Sequence, residues 1–170
     1  MNTNEIIKTC LKDLEPKNVL DLGIGKGRCS KIFLKKGVEI IGVDLKDYKI
    51  PGIKFVKSNI KNFDFKENFD LIIASLVLHF LNKDLSLEII KKIKTFTNKN
   101  GHNFILTMNK RDNLFKKNKN NFYFDEEELK ELYKDWEIIK SGNFETDLEE
   151  HDNLKPHKHN LSFILTKKAY

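Results

Sequence analysis

The sequence has few of the residues that build secreted or membrane proteins. Its 170 residues include two cysteines, Cys10 and Cys29, without C-x-x-C spacing, which excludes a disulfide framework and a cysteine-rich zinc site. Apolar runs such as Leu71–Leu78 are far shorter than the roughly 20 residues that cross a bilayer. The polar N-terminus lacks the basic start and apolar core of a signal peptide. We therefore expect a cytoplasmic protein with no membrane partner.

Arginine is also scarce. Among the 31 basic residues only Arg28 and Arg111 are arginines, although the formal net charge is +6. Because arginine provides most bidentate recognition of phosphates and bases, this composition argues against a nucleic-acid partner and for a solvated, lysine-rich surface. The length suits one domain with a proper core, so we predict a single domain over residues 1–170.

Apolar runs alternate with helical patterns, which is typical of a mostly parallel sheet flanked by helices. The predicted strands are Val19–Leu22, Val38–Val43, Ile53–Lys57, Phe69–Ser75, Asn103–Met108, Trp136–Ile139 and Leu161–Thr166. The predicted helices are Glu5–Leu14, Arg28–Lys36, Asp84–Thr97 and Asp125–Lys134, the last with Asp125 as its N-cap. Only Leu45–Gly52 joins the second and third strands, which is too short for the usual crossover helix. We expect a tight coil or a single helical turn there.

A glycine-rich loop, Asp21–Gly27, follows the first strand with glycines at alternate positions. Open α/β folds bind ligands at this edge of the sheet, and Asp44, about twenty residues on, has the usual position of an acid that hydrogen-bonds ribose hydroxyls. A dinucleotide fingerprint requires a third glycine where Arg28 stands. S-adenosylmethionine has no pyrophosphate and carries an ammonium group that suits Asp21. The loop therefore predicts S-adenosyl-L-methionine as the cofactor.

With these motifs the sequence resembles the class I S-adenosylmethionine-dependent methyltransferases, and in detail the tellurite-resistance (TehB-like) family. The resemblance rests on Leu20–Arg28, Gly42–Asp44, Phe69–Leu81 and the passage from Phe124 to Ile138. It implies a Rossmann-like α/β fold with a seven-stranded, mostly parallel sheet, an antiparallel last strand, helices on both faces and a reduced helix between strands 2 and 3.

The same resemblance implies a set of cofactor-binding residues. Asn59 is one of them, although it stands where the superfamily usually has aspartate. The full set is Asp21, Gly23, Gly25, Gly27, Arg28, Asp44, Leu45, Asn59, Ile60, Ser75 and Leu76.

Four histidines are candidate catalytic residues. His79 follows the fourth strand and is either a base that faces the acceptor or a packed histidine with one hydrogen bond. His151, His157 and His159 precede the last strand, in a region that is either a solvated loop or, by resemblance to TehB-like proteins, part of the acceptor site. His157 and His159 point the same way in an extended chain, but without a clear third ligand we expect no metal. The polar loop Lys110–Asn121 is either a lid or disordered.

We therefore expect a methyltransferase whose acceptor is a small molecule: an oxyanion of tellurium or selenium, a thiol or another soft nucleophile. Its rate would come largely from placing the nucleophile in line with the methyl group. The alternatives are an RNA or protein methyltransferase that uses the basic surface, and a non-catalytic S-adenosylmethionine-binding protein. The short Leu45–Gly52 crossover leaves a candidate surface for a homodimer.

Overall fold

The structure, a computed structural model, describes residues 2–34, 37–114, 120–148 and 155–169. Its seven strands are β1 (Asn18–Leu22), β2 (Glu39–Asp44), β3 (Lys54–Lys57), β4 (Phe69–Ser75), β5 (Thr97–Met108), β6 (Glu137–Glu145) and β7 (Asn160–Lys167). Its α-helices are α1 (Thr3–Leu11), α2 (Lys83–Thr95) and α3 (Glu126–Leu132). Short 3₁₀ turns cover Ser30–Phe33, Ile60–Asn62 and Leu78–Phe80.

The strands form one sheet in the order β3-β2-β1-β4-β5-β7-β6. The pairs β3–β2, β2–β1, β1–β4 and β4–β5 are parallel, whereas β7 is antiparallel to both β5 and β6. The predicted seven-stranded, mostly parallel sheet with an antiparallel last strand is therefore confirmed.

Both faces of this sheet are covered, because successive side chains of a strand point to opposite faces. Leu20 and Leu22 of β1 pack in a core with residues of α2 and α3, and Val19 packs in a second core with residues of α1. Helices thus lie on both faces, as predicted. Within the described ranges, no helix has the length and apolar character that a membrane span requires.

Several predicted element bounds were wrong. Arg28–Lys36 does not form the predicted helix in its described part, where only Ser30–Phe33 makes a 3₁₀ turn; Lys35 and Lys36 lie outside the described residues. Left-handed Gly27 and Gly37 bound this segment, and the N–H groups of Ile32 and Leu34 donate to carbonyl groups three residues back, as in a 3₁₀ turn. The strand predicted at Trp136–Ile139 extends to Glu145. Its full length does not show in the sequence, because β6 is an edge strand whose mostly exposed side chains have no regular alternation of apolar and polar residues.

The crossover between β2 and β3 contains no helix, so the expected tight coil is found and the reduced helix that the resemblance implied is not. Three apolar side chains nearby are exposed, namely Leu34 (44%), Leu45 (63%) and Tyr48 (38%). The homodimer that was expected at this surface stays a prediction. The N-cap predicted for α3 is confirmed, since Asp125 precedes the helix and its N–H donates to Glu128 Oε2 at 2.9 Å.

Candidate active site

A cleft of about 590 Å³ opens where the carboxyl ends of β1, β4 and β5 meet the start of β7. This is the edge at which open α/β sheets bind ligands. The cleft is lined by Thr3, Asp21, Gly23, Ile24, Gly25, Lys26, Arg28, Cys29, Tyr48, Ser75, Leu76, His79, Phe80, Met108, Thr146, His159 and Leu161.

The glycine-rich loop forms one wall of this cleft with its backbone. Gly23, Gly25 and Gly27 all adopt left-handed conformations, with φ of 73°, 52° and 73°. A Cβ atom on Gly23 would lie 2.5 Å from the side chain of Val77, so no larger residue fits there. A Cβ atom on Gly25 would meet nothing nearer than the Gly23 carbonyl oxygen at 4.0 Å. The loop therefore presents bare backbone to an open cradle that a ligand can fill.

Asp21 lies beneath the loop at the end of β1 and is 2% exposed. Its Oδ2 accepts a hydrogen bond from Ser30 Oγ at 2.5 Å. Burial raises the pKa of Asp21 to about 7, and the nearby negative charge of Asp44 adds to this, while the hydrogen bond from Ser30 opposes it. A carboxyl group poised near neutral pH in a cleft is suited to a cationic ligand group, whose charge would favour its ionised form.

Asp44, at the end of β2, is held against the glycine loop. Its Oδ2 accepts from the N–H of Gly25 at 2.8 Å and its Oδ1 from the N–H of Lys46 at 3.2 Å. Asp44 is not itself among the lining residues of the cleft. It acts on the cleft through Gly25, whose position it fixes.

The predicted cofactor residues thus fall into two groups. The cleft brings together Asp21, Gly23, Gly25, Arg28, Ser75 and Leu76. The others line no part of it: Gly27, Asp44, Leu45, Asn59 and Ile60. Within this second group, Leu45 is exposed, Ile60 is buried in the core, and the side chain of Asn59 accepts from the N–H of Lys61.

The end of β4 places His79 in the cleft. Leu76 takes a left-handed conformation with φ of 55° while its N–H donates to the carbonyl of Leu106, and the chain then enters the 3₁₀ turn that carries His79. His79 is 2% exposed, and its Nδ1 has no hydrogen-bond partner among the described residues. Burial lowers the pKa of His79 to about 4, so the ring is neutral at physiological pH.

His159 reaches the cleft from the segment before β7 and contacts two other side chains. Its Nδ1 lies 3.0 Å from Oδ2 of the buried Asp112, and its Nε2 lies 3.1 Å from Nε2 of His157. The Nδ1 atom of His157 lies 2.9 Å from the carbonyl oxygen of Lys155. His151 lies outside the described residues.

Asp112 is the member of this group that sequence reasoning missed. It lies in the predicted polar loop Lys110–Asn121, of which residues 115–119 are outside the described ranges. Burial by itself raises the pKa of Asp112, but hydrogen bonds from His159 and from the N–H groups of Leu114 and Asn160 outweigh it and hold that pKa below its usual value. The sequence signal that could have identified Asp112 is its position, since it is an acidic residue just after a predicted parallel strand.

Solved structures with a similar architecture place this fold in a known class. The N-methyltransferase NodS of Bradyrhizobium japonicum, in complex with S-adenosyl-L-homocysteine, superposes with a TM-score of 0.72 at 13% identity over 99% of this chain and 89% of that chain. The 1,6-didemethyltoxoflavin-N1-methyltransferase of Burkholderia thailandensis gives 0.69 at 22% identity over 98% of this chain and 76% of that chain. The fold is that of the S-adenosylmethionine-dependent methyltransferases.

Sequence similarity then narrows the class to a family. The family model described as tellurite resistance protein TehB matches residues 2–163, so the chain belongs to the TehB family. The probable S-adenosyl-L-methionine-dependent methyltransferase TehB of Haemophilus influenzae (strain Rd) is 33% identical over 140 residues, which are 76% of this chain and 49% of that protein. The crystal structure of TehB from Haemophilus influenzae superposes with a TM-score of 0.78 at 28% identity, covering 96% of this chain and 62% of that one. The chain spans about half the length of the curated relatives that it matches.

Proposed function

We propose that this chain is an S-adenosylmethionine-dependent methyltransferase that acts on a small acceptor. One observation carries the proposal: a single cleft holds the glycine loop and Asp21 at one end and His79 and His159 at the other. Membership of the TehB family supports the choice of cofactor, since the named relative is a probable S-adenosyl-L-methionine-dependent methyltransferase.

The cofactor end of the cleft fits S-adenosylmethionine on three counts. The cradle above Gly25 is open, the buried carboxyl of Asp21 suits an ammonium group, and Arg28 lines the same wall. We assign cofactor binding to these residues, to Gly23, Ser75 and Leu76 beside them, and to the flanking set Gly27, Asp44, Leu45, Asn59 and Ile60. When bound, S-adenosylmethionine supplies an electrophilic methyl group on a sulfonium.

The acceptor end combines apolar walls with two histidines. Phe80, Met108 and Leu161 line it together with His79 and His159. These apolar walls reduce the access of water, and the neutral imidazole of His79 can position an acceptor through a hydrogen bond. We assign acceptor positioning and proton transfer to His79, His157 and His159, and we retain His151 as a sequence-based candidate. An oxyanion of tellurium or selenium, a thiol or another soft nucleophile is the proposed acceptor.

The charge pairs on the surface favour a small acceptor over RNA. Lys110 Nζ lies 2.6 Å from Glu128 Oε1, and Lys130 Nζ lies 2.8 Å from Glu126 Oε1. These ammonium groups are partly neutralised by carboxylates, which weakens the electrostatic attraction on which non-specific RNA binding depends.

Calorimetric titration with S-adenosylmethionine, and separately with NADH, tests the cofactor. We expect micromolar binding of the first and none of the second. Methyl transfer to tellurite, selenite and small thiols then tests the acceptor, with methylated product measured by mass spectrometry. Cofactor binding without transfer to any acceptor would favour the non-catalytic alternative, and failure to bind S-adenosylmethionine would overturn the proposal.

A further inference from the structure

His79 is a polar side chain that the protein encloses without satisfying it. The residue is 2% exposed, and its Nδ1 atom is buried with no hydrogen-bond partner among the described residues. The Nε2 atom is not buried in this way and makes no hydrogen bond within the described ranges, so it lies on the side of the ring that lines the cleft. A buried polar atom without a partner lowers the stability of a fold, which indicates that the ring has another use.

Two aromatic contacts and a tight turn hold this ring in place. Its centroid lies 4.3 Å from that of Phe80 at an interplanar angle of 43°, and 5.9 Å from that of Tyr123 at 79°. The N–H of Phe80 donates to the carbonyl of Val77 at 3.2 Å and closes the 3₁₀ turn. These contacts fix the orientation of the His79 ring, so Nδ1 stays enclosed while Nε2 stays at the cleft.

The position of the proton on this ring follows from these surroundings. Burial lowers the pKa of His79 to about 4, although the negative charge of Asp112 opposes this, so at neutral pH the ring carries one proton. A proton on Nδ1 would be an enclosed N–H with no acceptor, whereas a proton on Nε2 faces the cleft and leaves only a lone pair enclosed. Folded proteins tolerate a buried acceptor without a donor better than a buried N–H without an acceptor. The ring therefore presents its Nε2 proton to the cleft and offers the cleft no lone pair.

The charges around the cleft favour an anion beside this donor. Lys26 and Arg28 line the cleft, and Asp21, at the cofactor end, is the only carboxylic acid among the lining residues that the structure describes. Asp112, whose charge acts on His79, does not line the cleft. An N–H group binds an anionic oxygen or sulfur more strongly than a neutral one, because the charge of the acceptor atom strengthens the hydrogen bond.

We propose that His79 is an uncharged hydrogen-bond donor, through Nε2, to a small anionic methyl acceptor such as an oxyanion or a thiolate. This inference rests on the proposed methyl transfer and narrows the role of His79 there to positioning. Because the ring offers the cleft no lone pair, it does not take a proton from the acceptor. It holds an anionic oxygen or sulfur and thereby orients the nucleophile toward the methyl group. Neutral alcohols, amines and thiols are then poor acceptors, since they lack the charge that this end of the cleft binds.

The position of the proton is tested without cofactor or acceptor. Two-bond ¹H–¹⁵N correlation spectra of the ¹⁵N-labelled protein at pH 7 distinguish protonated from unprotonated ring nitrogens. The spectrum of His79→Gln identifies the signals of His79 by their absence. We expect a proton on Nε2 and none on Nδ1. A proton on Nδ1, or on both nitrogens, would overturn the proposal whatever the activity of the chain.

Three variants at this position separate hydrogen-bond donation from proton transfer and from packing. The side-chain amide of glutamine reaches the place of Nε2, that of asparagine reaches only the place of Nδ1, and phenylalanine keeps a ring without a polar atom. We expect KM for the anions selenite and 4-nitrothiophenolate to rise about 10- to 100-fold in His79→Asn and His79→Phe, and His79→Gln to restore most of that loss. The affinity for S-adenosylmethionine, measured by calorimetry, should be unchanged in all three. Melting curves by circular dichroism identify any variant that has lost its fold.

Several results would contradict the proposal. Equal losses in folded His79→Gln and His79→Asn would indicate a base, and an unchanged KM in folded His79→Phe would indicate a histidine that only packs. Faster transfer to 2-mercaptoethanol, a largely uncharged thiol at pH 7, than to either anion would remove the anionic class of acceptor. If the cofactor binds but neither anion reacts, spectra recorded with S-adenosylhomocysteine and selenite decide, and an unshifted Nε2 signal of His79 counts against the proposal. Failure to bind S-adenosylmethionine contradicts the proposed function instead, and the position of the proton on His79 is measured independently of it.

Discussion

The two ends of the cleft are built in different ways. At the cofactor end, Asp21, the glycine loop and Ser30 come from ten consecutive residues, and bare backbone forms the wall. At the acceptor end, His79, Asp112 and His159 come from three segments, and the last two are 47 positions apart in the sequence. The first end is thus a local turn that the fold can keep unchanged for any acceptor. The second depends on long-range packing, and it is where this chain can differ from its relatives.

Replacing His159 should have the largest effect on turnover. Because it should leave cofactor affinity unchanged, it distinguishes the role of the acceptor end from that of the cofactor end. We expect His159→Gln to lower the turnover number by about 100-fold, within the range for loss of a general acid or base, while leaving the affinity for S-adenosylmethionine unchanged. Steady-state kinetics with a responsive acceptor, together with calorimetry, measure the two quantities. Unchanged turnover in a folded variant would remove His159 from the acceptor site. His102→Gln is the control, since His102 lies within β5 and does not line the cleft.

Asp21→Asn should affect the cofactor end instead. Loss of a charge-assisted contact costs about 1.5–3 kcal/mol, so we expect S-adenosylmethionine to bind about 10- to 100-fold more weakly in calorimetry. If the cofactor binds Asp21→Asn as tightly as the unmodified protein, the assignment of its ammonium group to this carboxyl is wrong.

The same variant should be more stable at neutral pH and above. The pKa of Asp21 rises from 3.8 to about 7 on folding, so the folded state binds a proton that the unfolded state has released, and the free energy of unfolding falls as pH rises between these values. At about 1.4 kcal/mol per pKa unit, the cost of ionising Asp21 reaches at most roughly 4 kcal/mol. Asn avoids that cost, and denaturant unfolding at pH 7.5 and pH 4 should show the gain only at the higher pH.

Placing a side chain in the open space above the glycine loop should have a smaller effect on cofactor binding. The chain offers two glycines whose substitution can be compared. Gly25 and Gly37 both have a left-handed backbone conformation. An added Cβ atom would meet no atom within 4 Å at Gly37, and at Gly25 it would meet only a carbonyl oxygen at 4.0 Å. Alanine at either position must adopt a positive φ, 52° at Gly25 and 90° at Gly37, so both variants carry backbone strain and the strain is larger at Gly37. Only Gly25→Ala should weaken cofactor binding, by about 1.4 kcal/mol or tenfold, because its methyl group projects into the cleft. Equal affinities in the two variants would contradict the placement of the cofactor.

The smallest effect should be a pH dependence of cofactor affinity. Since the pKa of Asp21 is about 7, its ionised fraction rises between pH 6 and pH 7.5, and a cationic group binds the ionised form better. We expect an affinity gain of roughly fivefold over this interval in calorimetry. The gain should be absent in Asp21→Asn; if it persists there, another group controls it.

The strands and the glycine loop around Asp21 could be predicted from the sequence, whereas the contacts of His159 could not, for physical reasons. Val19–Leu22 and Phe69–Ser75 are parallel strands with mostly apolar, buried residues, and the glycines that follow the first strand are evident in the sequence. The length of β6 was underestimated because the exposed face of an edge strand carries no apolar period. The contact between Asp112 and His159 could not be predicted, since it depends on how β7 pairs with β5.

The position of β7 in the sheet has a consequence for synthesis on the ribosome. β6 precedes β7 in the chain, yet it reaches the sheet only through β7, which lies between it and β5. Residues 160–167 must therefore leave the exit tunnel before β6 has a neighbour to pair with, whereas β1 to β4 can assemble earlier as the chain grows. Until then the unpaired edge of β5 is a surface to which chaperones or other nascent chains can bind. The glycine loop can form during this interval, and the contact between Asp112 and His159 can only follow it.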